Sequence, residues 1–178
     1  MQEIELKFLE VNPEEVGRKL EKLGAVKEKD EVLEEWIFMK PEWKPVLGRV
    51  RVRKSETKVE LAYKETTQKT GVGNLEIEFE VSDAEAAGEF VKKMGVKLSR
   101  HQQKRRISYR LGEINIDVDF WPRIPPMVEI EGEDRRELEK LARKLGFDLG
   151  KVVELDAAQI YRQVYGIDIN EIEELVFE

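Results

Sequence analysis

Three acidic pairs and one basic triplet carry the chemistry this sequence could perform. Glu-Ile-Glu occurs at Glu3-Ile4-Glu5, at Glu76-Ile77-Glu78 and at Glu129-Ile130-Glu131. Side chains alternate faces along a strand, so the two glutamates of each copy point one way and the isoleucine the other. Arg49-Val50-Arg51-Val52-Arg53 repeats that period with guanidinium groups, and Asp117 and Asp119 alternate with Ile116 and Val118. Crowded carboxylates out of water repel one another and take up protons unless cations neutralise them. Hard divalent ions such as Mg²⁺ or Mn²⁺ prefer such oxygen ligands. Arginine grips phosphate oxygens as a bidentate fork and lysine as a point charge. A polyanion such as triphosphate suits a site holding both sets. One Glu-x-Glu copy alone reads equally well as a solvated strand face. Three copies among equally spaced basic strands ask for more.

Composition narrows the field. The 178 residues suit one domain, here read as spanning 1–178 with its core at about 2–165, and the 40% apolar content can build a core. Charged residues reach 39%, above the roughly one quarter of ordinary soluble domains, a bias that fits heat adaptation. The absence of cysteine excludes disulfides, thiolate metal sites and cysteine nucleophiles. A single histidine, His101, disfavours a histidine-ligated metal cluster or a Ser-His-Asp relay. The net charge of −7 argues against nonspecific nucleic-acid binding. No apolar run approaches ~20 residues and no signal-peptide pattern opens the chain, so a cytoplasmic location without membrane attachment is expected.

The elements that position these residues can be read in order. Strands are expected at 2–8, 25–40, 48–54, 58–66, 74–81, 102–111, 113–120 and 127–132. Asn12 with Pro13 starts a first helix, Ser82 with Glu85 a second, and Asp134 with Glu137 a third. These helices close at Gly24, Gly95 and Gly146. A last helix is expected at about 156–166, before an acidic tail at 168–178. Pro41 and Pro45 break the chain into a loop, and Gly71-Val72-Gly73 forms another.

This pattern predicts an α+β fold: an eight-stranded antiparallel β-barrel with helices packed outside. Three amphipathic helices need apolar partners, which the Ile4, Ile77 and Ile130 faces would supply. The charged faces then point into a liquid-filled interior. The acids there would be Glu3, Glu5, Glu76, Glu78, Glu80, Asp117, Asp119, Glu129 and Glu131. The bases would be Lys7, Arg49, Arg51, Arg53, Lys64, Lys104 and Arg106.

The chain resembles the CYTH domain, the fold of the triphosphate tunnel metalloenzymes, which include class IV adenylate cyclases of the CyaB type and thiamine triphosphatases. Glu3-Ile4-Glu5-Leu6-Lys7 is similar to the family's N-terminal Glu-x-Glu-x-Lys signature. Arg49 to Arg53 resembles its basic strand, Tyr63-Lys64 the lysine of the next, and Glu76-Ile77-Glu78 the midpoint acidic strand. Lys104-Arg105-Arg106, Asp117-Val118-Asp119 and Val128-Glu129-Ile130-Glu131-Gly132 resemble the later basic and acidic strands. The resemblance implies that Glu3, Glu5, Asp117, Glu129 and Glu131 hold Mg²⁺ or Mn²⁺. It implies that Lys7, Arg49, Arg51, Lys64, Lys104 and Arg106 hold the triphosphate, with Arg53 a further triphosphate contact, and Arg53 and Asp119 alike either behind the ligands or near the mouth. Glu78 would orient basic groups or a metal-bound water, and Lys64 and Arg106 would be catalytic beside it. The expected activity is hydrolysis of tripolyphosphate, a nucleoside triphosphate or thiamine triphosphate. Its rivals are cyclisation of ATP to cyclic AMP and a noncatalytic polyphosphate-binding module. A monomer or a homodimer is compatible with this reading.

The remaining conspicuous residues have plainer uses. His101 reads as a strand-end residue rather than a general base. Trp36, Trp43 and Trp121 read as packing groups before stacking platforms for a base or thiamine ring. Tyr161 and Tyr165 read as packing residues, and the tail as a solvated or lightly docked segment.

Overall fold

The structure, a computed structural model, describes residues 4–40, 42, 47–66 and 74–178. Glu3, Trp43, Pro41, Pro45 and the Gly71-Val72-Gly73 segment lie outside the described residues. In chain order the elements are β1 (Ile4–Phe8), α1 (Pro13–Lys22), β2 (Val26–Met39), β3 (Leu47–Lys54), β4 (Val59–Thr66) and β5 (Asn74–Val81). There follow α2 (Ala84–Lys93), β6 (Lys97–Leu111), β7 (Ile114–Phe120), β8 (Met127–Gly132), α3 (Arg135–Leu145), α4 (Ala157–Gln159) and β9 (Glu174–Leu175). They form two compact units: residues Met1–Glu31 with Arg105–Glu154, and Val32–Lys104 with Leu155–Glu178. The long strands β2 and β6 each lend one part to each unit.

In the first unit the strand order is β1-β8-β7-β6-β2. The antiparallel register sets Glu5 opposite Glu131 and Lys7 opposite Glu129. It sets Asp117 opposite both Glu129 on β8 and Ser108 on β6. The other faces of these strands carry Leu6, Phe8, Ile116, Val118, Val128 and Ile130 into a core closed by Val16 and Leu20 of α1 and Leu138, Leu141 and Leu145 of α3. Burying each such side chain is worth about 1.5–3 kcal/mol, so the apolar phase fixes the charged phase on the opposite face. Both helices start as their sequences specify: Asn12 accepts from the Glu15 amide at 3.1 Å and Asp134 from the Arg136 amide at 2.8 Å. Gly24 and Gly146 take the left-handed conformation that stops a helix, at φ 86° and 88°.

In the second unit the order is β6-β2-β3-β4-β5, with β9 parallel to β6. Helix α2 sets Ala87 and Val91 against Phe38, Val52 and Val96, with Val50, Val59 and Leu61 partly buried around them.

Four expectations are corrected. The sheet is antiparallel with eight main strands, but it is not closed into a barrel. Among the described residues β1 pairs with β8 and β5 with β4, and these edges exchange no ladder bonds. The face of Ile77 is not covered by α2: Leu75, Ile77 and Phe79 remain 50–54% exposed, because the helix lies over β3 and β4 and β5 is an edge strand. The cap of α2 is Asp83, whose carboxylate accepts from the Ala86 amide at 2.6 Å, rather than Ser82. The last helix is three α-helical residues, Ala157–Gln159, running into a π-helical turn, Ile160–Val164. Of the two expected states of the tail the structure shows the docked one: β9 pairs with β6, and Ile169 and Leu175 are buried. No helix among the described residues is long and apolar enough to cross a membrane.

Candidate functional site: a carboxylate triplet and a basic array

The first unit gathers carboxylates. Ligand oxygens of Glu5, Glu129 and Glu131 all lie within 4.8 Å of one another. The geometry follows from register, since Glu5 and Glu131 face each other across β1 and β8 and Glu129 is two residues along the same face. Burial raises the Glu131 carboxyl to about 7, with repulsion from Glu129, Glu5 and Asp117 adding to it and Arg106 opposing. Glu5 is also raised, by burial and then by Glu129, although Lys7 draws it the other way. Lys7 lies 3.0 Å from Glu5 and 3.2 Å from Glu129. Burial alone would depress its ammonium, and the two carboxylates outweigh that and raise it. Three hard oxygen donors carrying an excess of negative charge fit a divalent cation.

Arg106 is enclosed by acids. It donates through Nε and Nη2 to Asp119 at 2.6 and 2.5 Å, through Nη1 to Asp117 at 2.5 Å and through Nη2 to Glu129 at 3.0 Å. Burial opposes its charge, yet Asp119, Asp117 and Glu129 together raise it well above the ordinary value. Asp117 also accepts from the Ser108 hydroxyl at 2.6 Å, and it stands outside the triplet. Asp119 is fully buried behind Arg106. Of the acids singled out in the sequence, the structure brings Glu5, Glu129 and Glu131 together and pairs Asp117 and Asp119 with a guanidinium.

The second unit gathers bases: Arg49, Arg51 and Arg53 on β3, Lys64 on β4 and Lys104 on β6. Register sets Arg49 beside Lys64. Arg51 and Lys104 are buried. Burial and then Arg53 lower the Arg51 guanidinium, with Glu35, Glu76 and Glu78 partly restoring it. Lys64 is lowered by burial and by Arg51, against the pull of Glu76. Arg51 donates through Nη2 to Glu78 at 2.7 Å, and Lys64 lies 2.7 Å from Glu76. The Nε–H of Arg51 is buried and has no partner among the described residues. A buried donor left unmatched costs about 1–3 kcal/mol, and an oxyanion would satisfy it.

Three residues of this unit escaped the sequence reading. Glu35 is buried between Arg53, at 2.8 Å, and Arg51, at 3.8 Å. Gln102 donates to it, and Arg100 donates to Gln102. The signal was present: Glu35 shares its strand face with Leu33 and Ile37, an apolar phase in which a charge needs partners. Arg100 was overlooked because β6 begins at Lys97, before the expected boundary. His101 stacks on Trp36 with ring centroids 5.2 Å apart, and its Nδ1 lies 2.7 Å from Glu174, a structural placement. Trp121 and Tyr161 are buried packing groups.

The chain matches the CYTH domain over residues 1–162. Among solved structures, the PH1012 protein of Pyrococcus horikoshii OT3 is 33% identical, with a TM-score of 0.74, covering 86% of this chain and 96% of its own. A candidate adenylate cyclase from Vibrio parahaemolyticus, 14% identical, shares the fold with a TM-score of 0.76 over 94% of this chain and 99% of its own. An adenylyl cyclase candidate from Hippeastrum, for which a dominant triphosphatase activity is described, is 17% identical with a TM-score of 0.64 over 93% and 96%. No curated protein matches. With nine-tenths of its length matched, the chain belongs to the CYTH domain family.

Proposed function

We propose that this protein is a divalent-metal-dependent triphosphate hydrolase. The observation that carries the reading is the pairing, in one chain, of a crowded carboxylate triplet with a basic array whose central arginine holds an unmatched buried donor. An anion-binding module gains nothing from a carboxylate cluster in which burial and then its acidic neighbours raise Glu131 to about 7, and that crowding is what a cation would relieve.

Glu5, Glu129 and Glu131 would hold Mg²⁺ or Mn²⁺, joined by Glu3. A divalent cation there supplies Lewis-acid polarisation of phosphate oxygens. Lys7 and Arg106 keep the triplet's geometry, Lys7 from Glu5 to Glu129 and Arg106 from Asp117 to Glu129. Arg49, Arg51, Arg53, Lys64 and Lys104 would bind the triphosphate and neutralise the charge that grows on the leaving phosphate. Glu76 and Glu78, with side chains 40% and 33% exposed, occupy Lys64 and Arg51 as exchangeable counter-ions. An arriving phosphate takes over those donors, and Glu78, once released, is free to orient the attacking water.

The test is release of phosphate and pyrophosphate from tripolyphosphate, ATP and thiamine triphosphate, with Mg²⁺, Mn²⁺ or chelator, while cyclic AMP is followed. Metal-dependent phosphate release establishes the hydrolase and its substrate. Pyrophosphate with matching cyclic AMP overturns it in favour of a cyclase, and tight binding without any product overturns it in favour of a binding module.

A further inference from the structure

The carboxylates of the second unit are of two kinds. Glu76 and Glu78 stand half-exposed on the edge strand β5. Glu35 stands on β2, inside the sheet, with a side chain 3% exposed. Both of its oxygens are engaged by the fold: Oε1 accepts from Arg53 Nε at 2.8 Å, and Oε2 accepts from Gln102 Nε2 at 2.6 Å. The Gln102 oxygen accepts from Arg100 Nε at 2.7 Å, and Arg100 Nη1 donates to the Ile169 carbonyl at 2.8 Å. One hydrogen-bonded row therefore runs from the C-terminal segment to the arginines of β3. Its polarity is fixed throughout, because the arginine at either end can only donate.

We infer that Glu35 is a positioning residue for the anion site: backed by Gln102 and Arg100, it holds Arg53 and Arg51 in the orientation that receives phosphate oxygens. The inference rests on the triphosphate reading above. Arg49, Arg51, Arg53, Lys64 and Lys104 are like charges on β3, β4 and β6, and in the absence of ligand they repel. An exposed counter-ion can leave when phosphate arrives. A buried one with both oxygens tied to side chains stays and keeps the guanidinium planes aligned while the exchangeable acids depart. Arg53, Lys104 and Arg51 outweigh the cost of burial and hold the Glu35 carboxyl well below the usual range, so it is ionised whenever the site works. Ile169 lies beyond residue 162, where the family match ends, so the row anchors the arginines to a part of the chain outside the family domain.

Glu35→Gln separates positioning from neutralisation by the sign of its effect. Loss of a buried negative charge, taken alone, strengthens anion binding. Loss of alignment weakens it. The glutamine keeps the shape but has one acceptor, so its amide faces either Arg53 Nε or Gln102 Nε2 donor to donor. Gln102→Leu cuts the row while leaving the Glu35 charge in place.

The experiment is calorimetric titration of tripolyphosphate in chelator on wild type and both variants, with Mn²⁺ titration of the same preparations as a control on the carboxylate triplet. Each variant is expected to bind tripolyphosphate about tenfold more weakly, the loss of one charge-assisted hydrogen bond, with Mn²⁺ affinity unchanged. Equal or tighter tripolyphosphate binding by folded Glu35→Gln overturns the inference. Should that variant not fold, Gln102→Leu decides alone, and an undiminished affinity there overturns it. A wild type that binds no tripolyphosphate, with or without metal, overturns the triphosphate reading and the positioning role together. A binding wild type with unaffected variants overturns the positioning role only.

Discussion

Replacing Glu131 with glutamine is expected to stabilise the metal-free protein above neutral pH and to weaken its hold on divalent cations. The carboxyl stands at about 7, against an ordinary value of 4.5. At roughly 1.4 kcal/mol per pH decade, that displacement corresponds to about 3 kcal/mol. Folded Glu131 holds its proton more tightly than the unfolded chain does. Below about pH 4.5 both states are protonated and nothing is lost. Between about 4.5 and 7 the unfolded state alone ionises, so stability falls as pH rises, and above about 7 the whole penalty is present. Glu131→Gln removes it, so in urea unfolding with chelator the variant should exceed wild type by up to about 3 kcal/mol near pH 8 and match it near pH 4.5. Cation binding requires the ionised carboxylate. Near pH 6 about one tenth of Glu131 is ionised, so wild-type Mn²⁺ affinity should be roughly tenfold lower than near pH 8, with one proton released on binding. Calorimetry in two buffers of different ionisation enthalpy counts that proton. A flat affinity between pH 6 and 8 without proton release, or an advantage of the variant over wild type no larger at pH 8 than at pH 4.5, would refute the reasoning.

Three further outcomes are expected. Arg51→Ala removes the buried guanidinium at the centre of the basic array and should weaken tripolyphosphate binding by roughly 10- to 100-fold, the worth of about 1.5–3 kcal/mol, while Mn²⁺ binding in calorimetry is unchanged. Asp83→Ala deletes the cap on the Ala86 amide and should cost about 1 kcal/mol in denaturant unfolding, whereas Ser82→Ala should stay within about 0.5 kcal/mol. Leu175→Ala truncates a fully buried side chain of the docked tail and should cost roughly 2–5 kcal/mol, read as a lower unfolding midpoint at constant slope. If the tail were merely solvated, that midpoint would not move.

Most of the fold was legible in the sequence because its strands alternate with little ambiguity. Leu6 and Phe8 in one phase and Glu5 and Lys7 in the other admit only one side for the core, and the structure buries Leu6 and Phe8. Helix ends were equally legible at Asn12, Asp134, Gly24 and Gly146, where cap chemistry is local. What escaped depends on neighbours distant in the chain. Nothing near Ile77 says that β5 ends the sheet beyond the reach of α2, so a covered face was expected where an exposed one stands. Arg106 reads as a phosphate ligand by its type, and the register sets Asp119 opposite it as an ion-pair partner that its type alone does not announce. Glu35 was passed over because its partners, Gln102 and Arg53, come from two other strands. The placement of the triplet and the array follows from strand phase. Which of their members remain open to a ligand follows from pairing, which alternation does not encode.

The recurrent Glu-Ile-Glu shows how far identical letters can diverge under these rules. At Glu129 and Glu131 the strand is central, its isoleucine is fully buried, and the glutamates crowd against Glu5 on the neighbouring strand. The fold then carries a repulsion that a divalent cation would relieve, which suits these carboxylates to the metal role proposed above. At Glu76 and Glu78 the strand is an edge, its isoleucine is 54% exposed, and the register across β4 supplies Lys64 and Arg51 within reach. Those glutamates are already compensated and solvated, so a cation gains little there and a phosphate gains by displacing them. Under the proposed function the same tripeptide would serve a metal in one unit and a substrate in the other, the choice being made by whether its neighbours across the ladder are acids or bases. Exchanging that environment should exchange the role. Lys64→Glu would set a third acid beside Glu76 and Glu78 and should create a weak Mn²⁺ site in the second unit at the expense of tripolyphosphate affinity. Calorimetry showing lost tripolyphosphate binding without any added Mn²⁺ stoichiometry would mean that ladder neighbours alone do not decide the role.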